Sequence, residues 1–321
     1  MCSSDLYLTF TLLALFSCAK LYFQSHIKVV HVHNMPDFLV FAALIPRLFG
    51  CKVILDVHDT VPETYMAKFD TPSKLFFTIL RFEEWISFAF SHKLICVNDV
   101  QCQAVIKRGV PPDKIVTIVT MPKYPRRASS PNHGEKQNQI FRMVNHGTIA
   151  KRLGIDLIVE ATAKVINEIP GFEFHLYGGG DDLENVLDRI KSLGLTKSVY
   201  YHGVIPWSSV ADELEKMDMG IVANRRNIAT ELMLPAKLID FVSLDIPAIV
   251  PRLKTIEHYF TPEMVTFFEP ENVDSIAEAI ISLYRDKARR ERQAQNARSF
   301  LARCSWENNS RGLRDLYNNL H

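Results

Sequence analysis

The sequence predicts an α/β protein built from two Rossmann-like domains, each a doubly wound parallel sheet. Short continuous apolar runs, the pattern of strands buried on both faces, alternate with stretches of helical length. The alternation is interrupted once, by a polar, proline-containing segment from Pro122 to Gln139, and then starts again. Length agrees with the division, since 321 residues make one large or two ordinary domains.

Leu6 to Phe23 is apolar and aromatic, but Lys20 interrupts it, Thr9, Thr11 and Ser17 dilute it, and no basic residue precedes it. It is too short and too polar for a clear membrane span and lacks the basic start of a signal peptide, so it reads as a packed helix, with one that also touches a membrane surface as the alternative. Ile27-Lys-Val-Val-His-Val-His33 reads as a buried strand opening into Asn34-Met-Pro-Asp37 and a helix from Phe38 to Ile45. Lys52 to Asp59, Lys93 to Asn98 and Lys114 to Val119 repeat the strand pattern, separated by helical stretches from Ser73 to Ser91 and from Asp99 to Arg108. Residues 1–121 form the first domain on this reading, and 122–139 the linker.

Beyond the linker the expected strands are Ile140 to Asn145, Phe172 to Tyr177, Ser198 to Tyr201, Met219 to Ala223, Ile246 to Val250 and Val265 to Phe268. Helices lie between them, and two more run near Val273 to Tyr284 and Lys287 to Ala302. This makes residues 140–304 a complete second domain. Residues 305–321 hold a terminal helix, Trp306 to Leu320.

A hydrophobic content of 47% with 23% charged residues is that of a soluble globular protein and excludes disorder as the main state. A net charge of +1 supplies no overall pull on polyanions, which argues against a general nucleic-acid binder. The six cysteines (Cys2, Cys18, Cys51, Cys96, Cys102 and Cys304) contain no C-x-x-C pair. They read as small hydrophobes in a reducing cytoplasm, not as a disulfide or zinc framework.

The most informative stretch is Glu231-Leu-Met-Leu-Pro-Ala-Lys-Leu-Ile-Asp-Phe241, followed by Ile246-Pro-Ala-Ile-Val-Pro251. Pro235 suits the first turn of a helix, and Lys237, Leu238 and Phe241 recur at helical spacing, so Met233 and Leu234 are expected to present free N–H groups at a helix start. Such an end attracts phosphate. Glu231 before it and Asp240 within it add acceptors suited to a sugar and a ribose. Capping alone explains much of the same pattern.

Leu-Pro-x-Lys-Leu-x-acid-Phe before a buried Ile-Pro-x-Ile-Val strand resembles the donor-binding segment of retaining glycosyltransferases of family 4, which have the two-Rossmann-domain architecture called GT-B. The family usually shows two glutamates with seven residues between them. Here residues 232 to 239 separate Glu231 from Asp240, and the second acid is Asp. The resemblance implies transfer of a sugar from a nucleoside diphosphate donor to a glycan or lipid-linked acceptor with retention. It further implies a place in cell-surface polysaccharide synthesis, in the cytoplasm or at the inner face of the membrane, and no metal. It implies that Glu231 holds sugar hydroxyls, that Asp240 holds the ribose, and that the terminal helix crosses back to the first domain.

Other segments extend the resemblance. His33 matches the family's histidine beside the donor sugar, and Asp56-Val-His-Asp-Thr-Val-Pro-Glu63 resembles the segment facing the interdomain cleft, making His58, Asp59 and Glu63 catalytic candidates. Asn145-His-Gly-Thr-Ile-Ala-Lys-Arg-Leu-Gly-Ile-Asp156 closes the first strand of the second domain and enters a helix from Ile155 to Ile169; Gly147 is a donor-binding candidate in it, and Lys151 and Arg152 stand where the family carries two cations on a diphosphate. Thr148 occupies a position that is often Arg in the family. Gly178, in Tyr177-Gly-Gly-Gly-Asp181, matches glycines that pack beside the nucleotide, and Val204 and Ile205 match backbone contacts to the base. Arg225 and Arg226 are further candidates for the phosphates, or solvated arginines.

His31, His33, Asp56 and His58 are Zn²⁺ or Fe²⁺ ligands by type. The His-Val-His is followed by Asn-Met-Pro-Asp and not by the closely spaced Asp-His of metallo-hydrolases, and no metal is expected. Family members begin with a strand and glycine-rich loop for which no counterpart precedes Val29, so the first domain reads as truncated, with a free strand edge that invites self-association or a second polypeptide. Two other functions fit the same architecture: a non-catalytic nucleotide-sugar-binding partner subunit, and a nucleotide-sugar epimerase or hydrolase.

Overall fold

The structure, a computed structural model, describes residues 3–69, 71–122 and 140–320. The expected linker therefore falls outside the described residues except for Pro122. The chain divides into two compact units, Met1–Thr120 with Trp306–His321, and Met121–Ser305.

The first unit opens with helix α1 (Ser3–Ser25) and strand β1 (Val29–His33). A 3₁₀ turn over Asp37–Ala43 and the short helix α2 (Leu44–Leu48) replace the single helix expected from Phe38 to Ile45. Tertiary bonds explain the difference: the Phe38 N–H donates to Glu83 Oε1 at 2.7 Å and Asn34 Nδ2 donates to the buried Asp37 at 2.8 Å, which ties the segment down from outside. Strand β2 (Lys52–Val57), helices α3 (Val61–Lys68) and α4 (Lys74–Phe90), strand β3 (Lys93–Cys96), helix α5 (Asp99–Lys107) and strand β4 (Ile115–Thr117) complete the run. Helix α3, with Pro62 in its first turn, has no counterpart in the sequence reading, because its polar residues hide a periodicity that Pro62 alone would signal.

The four strands are parallel in the order β1-β2-β3-β4. Period-two alternation splits β2 between two layers. Val53, Leu55 and Val57 pack with Val40, Phe88, Leu94 and Val105 on one face, while Ile54 packs with Ile95, Leu316 and Leu320 on the other. Full burial of one such Leu contributes about 2 kcal/mol. Ser73 and Asn98 cap α4 and α5 by accepting from the N–H groups of Phe76 and Gln101, each cap being worth about 1 kcal/mol.

Helix α1 corrects the expectation of an ordinary packed helix. Thr11, Ala14, Leu15, Cys18, Ala19 and Tyr22 form a half-buried stripe at helical spacing, and α1 packs on the 3₁₀ turn and α2. Its other faces are open, with Leu8 60%, Leu13 62% and Phe16 69% exposed. Tyr7–Ser25, with a mean hydropathy of 1.2, is long and apolar enough to cross a membrane.

The second unit comprises β5 (Phe141–Thr148), α6 (Ile155–Val165), β6 (Phe172–Gly179), α7 (Leu183–Ser192), β7 (Val199–Gly203), α8 (Trp207–Leu214), β8 (Met219–Ile221), α9 (Ala236–Ser243), β9 (Ala248–Pro251), α10 (Lys254–Tyr259), β10 (Thr266–Phe268), α11 (Val273–Arg285) and α12 (Lys287–Arg303). Its six strands are parallel in the order β10-β9-β8-β5-β6-β7. From β5 the chain winds toward β7 on one side and from β8 toward β10 on the other. The connections after β5 and β8 therefore diverge, and in such sheets the crevice where they part is the ligand site. Phe174, Leu176, Ile158, Ile221 and Ile280 lie in the core beneath it. The last helix, α13 (Trp306–Asn318), belongs to the first unit and supplies Leu316 to the layer containing Ile54 and Ile95.

Candidate functional site

In the first unit, β1 and β2 run side by side with His31 opposite Ile54 and His33 opposite Asp56. Alternation puts His31 and His33 on one face, where their rings stack 4.7 Å apart. Asp56 Oδ2 lies 3.6 Å from His31 Nε2, 3.2 Å from His33 Nδ1 and 3.5 Å from His58 Nε2. His33 Nδ1 and His58 Nε2 are themselves 3.0 Å apart. His31 Nδ1 meets the Tyr317 hydroxyl at 2.8 Å, a partner 286 residues away that no local pattern could reveal. Burial pulls the His33 imidazole below its ordinary value, and the Asp56 carboxylate works against that.

Asn34 fixes the loops that carry these groups. Its Oδ1 accepts from the His58 N–H at 2.8 Å, and its Nδ2 donates to the Asp59 carbonyl at 2.7 Å as well as to Asp37. Gln101 Nε2 donates to the His58 carbonyl at 3.3 Å. His33 and His58 thus come together, and Asp59 supports them through its backbone. Glu63 does not join them. It is 7% exposed and its Oε1 accepts from Arg108 Nη2 at 2.7 Å, while Arg108 Nη1 donates to Glu84 at 2.6 Å. Three of the four ionisable groups in these eight residues avoid unpaired burial in this way, Asp56 and His58 in the imidazole cluster and Glu63 in the buried ion-pair network. Burial raises the carboxyls of Asp37 and Glu84 to about 7.

In the second unit, Gly147 and Gly178 face each other at the ends of β5 and β6. Both have positive φ, +99° and +125°, and a Cβ on Gly178 would fall 1.8 Å from the Gly147 carbonyl oxygen. Gly180 is equally constrained by the Ile149 carbonyl, at 2.0 Å from its Cβ position. The glycine turn therefore serves close packing of the loops after β5 and β6, leaving a ledge of exposed backbone at Gly147. Val204, after β7, is 79% exposed and lies beside Gly179, while Ile205 is half-buried.

Helix α9 starts at Ala236, with Pro235 as its N-cap in extended conformation. The expected donors shift accordingly. Met233 N–H is occupied by the Thr230 carbonyl at 3.3 Å, and Leu234 precedes the cap, so Ala236 and Lys237 hold the N–H groups without an intrahelical acceptor. Pro235 is the cap and not the first helical residue because its ψ of 121° is extended, while its carbonyl accepts from Leu238 N in closing the first turn. Lys237 reaches from α9 to β5, where Nζ lies 3.2 Å from Asn145 Oδ1 and the side chain passes beneath Gly147. Desolvation lowers its ammonium to about 8, offset in part by Asp240. Asp240 is 6% exposed and its Oδ2 lies 3.4 Å from His146 Nε2, so it faces the interior more than the sequence reading expects. Burial and the neighbouring Lys237 push His146 down to about 3, which keeps it neutral.

Lys151 and Arg152 form the 3₁₀ turn between β5 and α6. Arg152 Nε is enclosed without an acceptor among the described residues. Arg225, by contrast, is structural: its guanidinium pairs with Asp156 and donates to the Lys151 carbonyl at 3.0 Å, and its N–H donates to the Arg152 carbonyl at 2.9 Å. It ties the diverging loops of β5 and β8 together. Arg226 pairs with Glu231 at 3.2 Å, and Glu231 Oε2 also accepts the Lys254 N–H at 2.7 Å. The arrangement offers helix-start amides, two cationic groups and a backbone ledge to an anion. Lys237 and His146 are the contributors that sequence reasoning missed; Lys237 was legible only as a helical residue.

The family profile described as glycosyl transferases group 1 matches residues 126–300, more than half of the chain, and that of Glycosyltransferase Family 4 matches residues 3–120. No curated protein matches by sequence. Among solved structures, a glycosyltransferase from Rickettsia africae aligns at a TM-score of 0.72 with 15% identity, over 97% of this chain and 81% of that one. Anabaena Alr3699/HepE in complex with UDP aligns at 0.76 with 14% identity, over 95% and 82%. Staphylococcus aureus TarM, determined with UDP, aligns at 0.71 with 16% identity, over 95% of this chain and 59% of that one. These identities speak for the fold, two Rossmann-like units as in GT-B structures, and the profiles speak for the family: the chain belongs to the group 1, family 4-type glycosyltransferases.

Proposed function

We propose that the protein moves a sugar from a nucleoside diphosphate donor to a glycan or lipid-linked acceptor with retention of configuration, in the synthesis of a cell-surface polysaccharide. The observation that carries this reading is the convergence, at the divergence of β5 and β8, of the α9 start, Lys237, the Gly147 ledge and an Arg152 Nε that lacks an acceptor among the described residues. A diphosphate leaving group needs such a set. Its developing charge is stabilised by preorganised donors that cost no reorganisation when the bond breaks, and a diphosphate so held stays on the face from which the acceptor hydroxyl attacks. No metal is required for this binding. Lys151 and Arg152 would clamp the diphosphate, Asp240 the ribose, and Glu231 the sugar hydroxyls. That two proteins of this fold have been seen with UDP makes UDP the first nucleotide to try.

The test is consumption of UDP- and GDP-sugars with and without a lipid-linked or glycan acceptor, followed by NMR of the product's anomeric configuration. Acceptor-dependent turnover with the donor's anomer preserved is the expected result. Turnover without acceptor would instead favour a hydrolase or epimerase, and an inverted product would remove retention.

A further inference from the structure

The imidazole cluster of the first unit does more than the proposed transfer asks of it, and its geometry points to a zinc site formed by His31, His33 and Asp56, with His58 beside it. A tetrahedral zinc with ligands at about 2.0–2.1 Å sets neighbouring donor atoms about 3.3 Å apart. Asp56 Oδ2 lies 3.6, 3.2 and 3.5 Å from the three nitrogens, and His33 Nδ1 lies 3.0 Å from His58 Nε2. The donor atoms of His31, His33 and Asp56 all fall within 4.8 Å of one another. Two imidazoles and one carboxylate, with a fourth position open, are a donor set that suits zinc.

Two further observations separate this from a hydrogen-bonded cluster. His31 Nε2 is buried and lacks a hydrogen-bond partner among the described residues, a state that native proteins rarely leave unexplained. His31 turns its other nitrogen to the Tyr317 hydroxyl at 2.8 Å, and with that hydroxyl accepting from Nδ1–H the lone pair stands on Nε2, the arrangement that orients a metal-bound histidine. The Asn34 bonds to the His58 N–H and the Asp59 carbonyl fix the loop that carries His58 beside the site. His33 and His58 keep 61% and 45% of their side chains exposed, so the ion has a path from solvent. This inference departs from the metal-free expectation for these residues. It does not rest on the transfer reading, whose diphosphate is held in the second unit.

The experiment uses the whole chain, stripped with a chelator and dialysed, then titrated with Co²⁺ and Zn²⁺. One equivalent of Co²⁺ should give the intense visible absorption of tetrahedral coordination, and Zn²⁺ should displace it. Tyr317→Phe should weaken Zn²⁺ binding about 10- to 100-fold, as loss of an outer partner does, and His31→Ala and Asp56→Asn should weaken it more. His258→Ala, in the second unit, should leave it unchanged. Circular dichroism reports whether each variant folds, and the wild-type spectrum with Tyr317→Phe decides the matter if His31→Ala does not. No binding by the wild type, an octahedral spectrum, or stoichiometric binding that survives both Asp56→Asn and Tyr317→Phe would overturn the site. UDP titration of the same stripped chain separates its failure from that of the transfer reading.

Discussion

The two units furnish the ends of their strands in opposite ways. In the first, the chemistry lies in side chains: three imidazoles about Asp56, and behind them the Glu63–Arg108–Glu84 network. In the second it lies largely in the backbone, where Gly147 and Gly178 meet so closely that a single methyl group has no room. Side-chain sites can lose a function and keep their fold, whereas a backbone site cannot be altered without disturbing the sheet that forms it.

The largest effect that would break this comparison sits in the first unit. Arg108→Met strands two buried carboxylates, and chemical denaturation should show a loss of about 3–5 kcal/mol. A loss under 1 kcal/mol would mean that Arg81, which also reaches Glu84, carries the network alone. Next comes Gly178→Ala, expected to cost about 3 kcal/mol or more because it combines positive φ with overlap against the Gly147 carbonyl. Gly109→Ala in the first unit, at φ +95° with no atom near its Cβ position, should cost only about 1 kcal/mol. Equal costs for the two glycines would dissolve the contrast between a backbone site and an ordinary turn.

The pH response should also divide the units. The Asp37 carboxyl is raised to about 7, so the folded state binds its proton more tightly. That stability is full below about 4 and lost as pH rises to about 7. His146 is lowered to about 3, so its contribution is present above about 6.5 and lost as pH falls toward 3. Denaturation across pH should show Asp37→Asn flattening the upper interval and His146→Asn the lower one. An unchanged profile in either variant would mean that the group titrates normally.

Much of the fold was legible because a parallel sheet writes itself as continuous apolar runs. All ten strands lie where such runs were read, within two or three residues, and α11, α12 and α13 match similarly. The misses have physical causes. Helix α3 is too polar for periodicity to reveal. The 3₁₀ turn at Asp37–Ala43 depends on Glu83, 45 residues on, and the exposure of α1 depends on what packs against it. In the site, the loops bearing Lys151, Arg152 and Glu231 could be read from motif. The Lys237–Asn145 contact, the Asp240–His146 contact and the Tyr317–His31 bond could not, since each joins residues far apart in the chain. Glu63 was misplaced because an acid near a strand end looks the same in sequence whether it meets ligand or a buried arginine.

The smallest expected effect is none. Adding EDTA should leave UDP affinity unchanged, because the second unit offers helix amides and cations to the diphosphate, and a drop restored by Mg²⁺ would require an ion there. The central claim, that the divergence of β5 and β8 holds a nucleoside diphosphate, is tested most directly by calorimetric titration of UDP and GDP into the wild type and Arg152→Ala. Saturable binding by the wild type, weakened about 10- to 100-fold in a variant whose unfolding midpoint is unchanged, is the predicted result, since one charge-assisted bond of about 1.5–3 kcal/mol is lost. Equal affinity in the two proteins, or no binding of either nucleotide by the wild type, would contradict it.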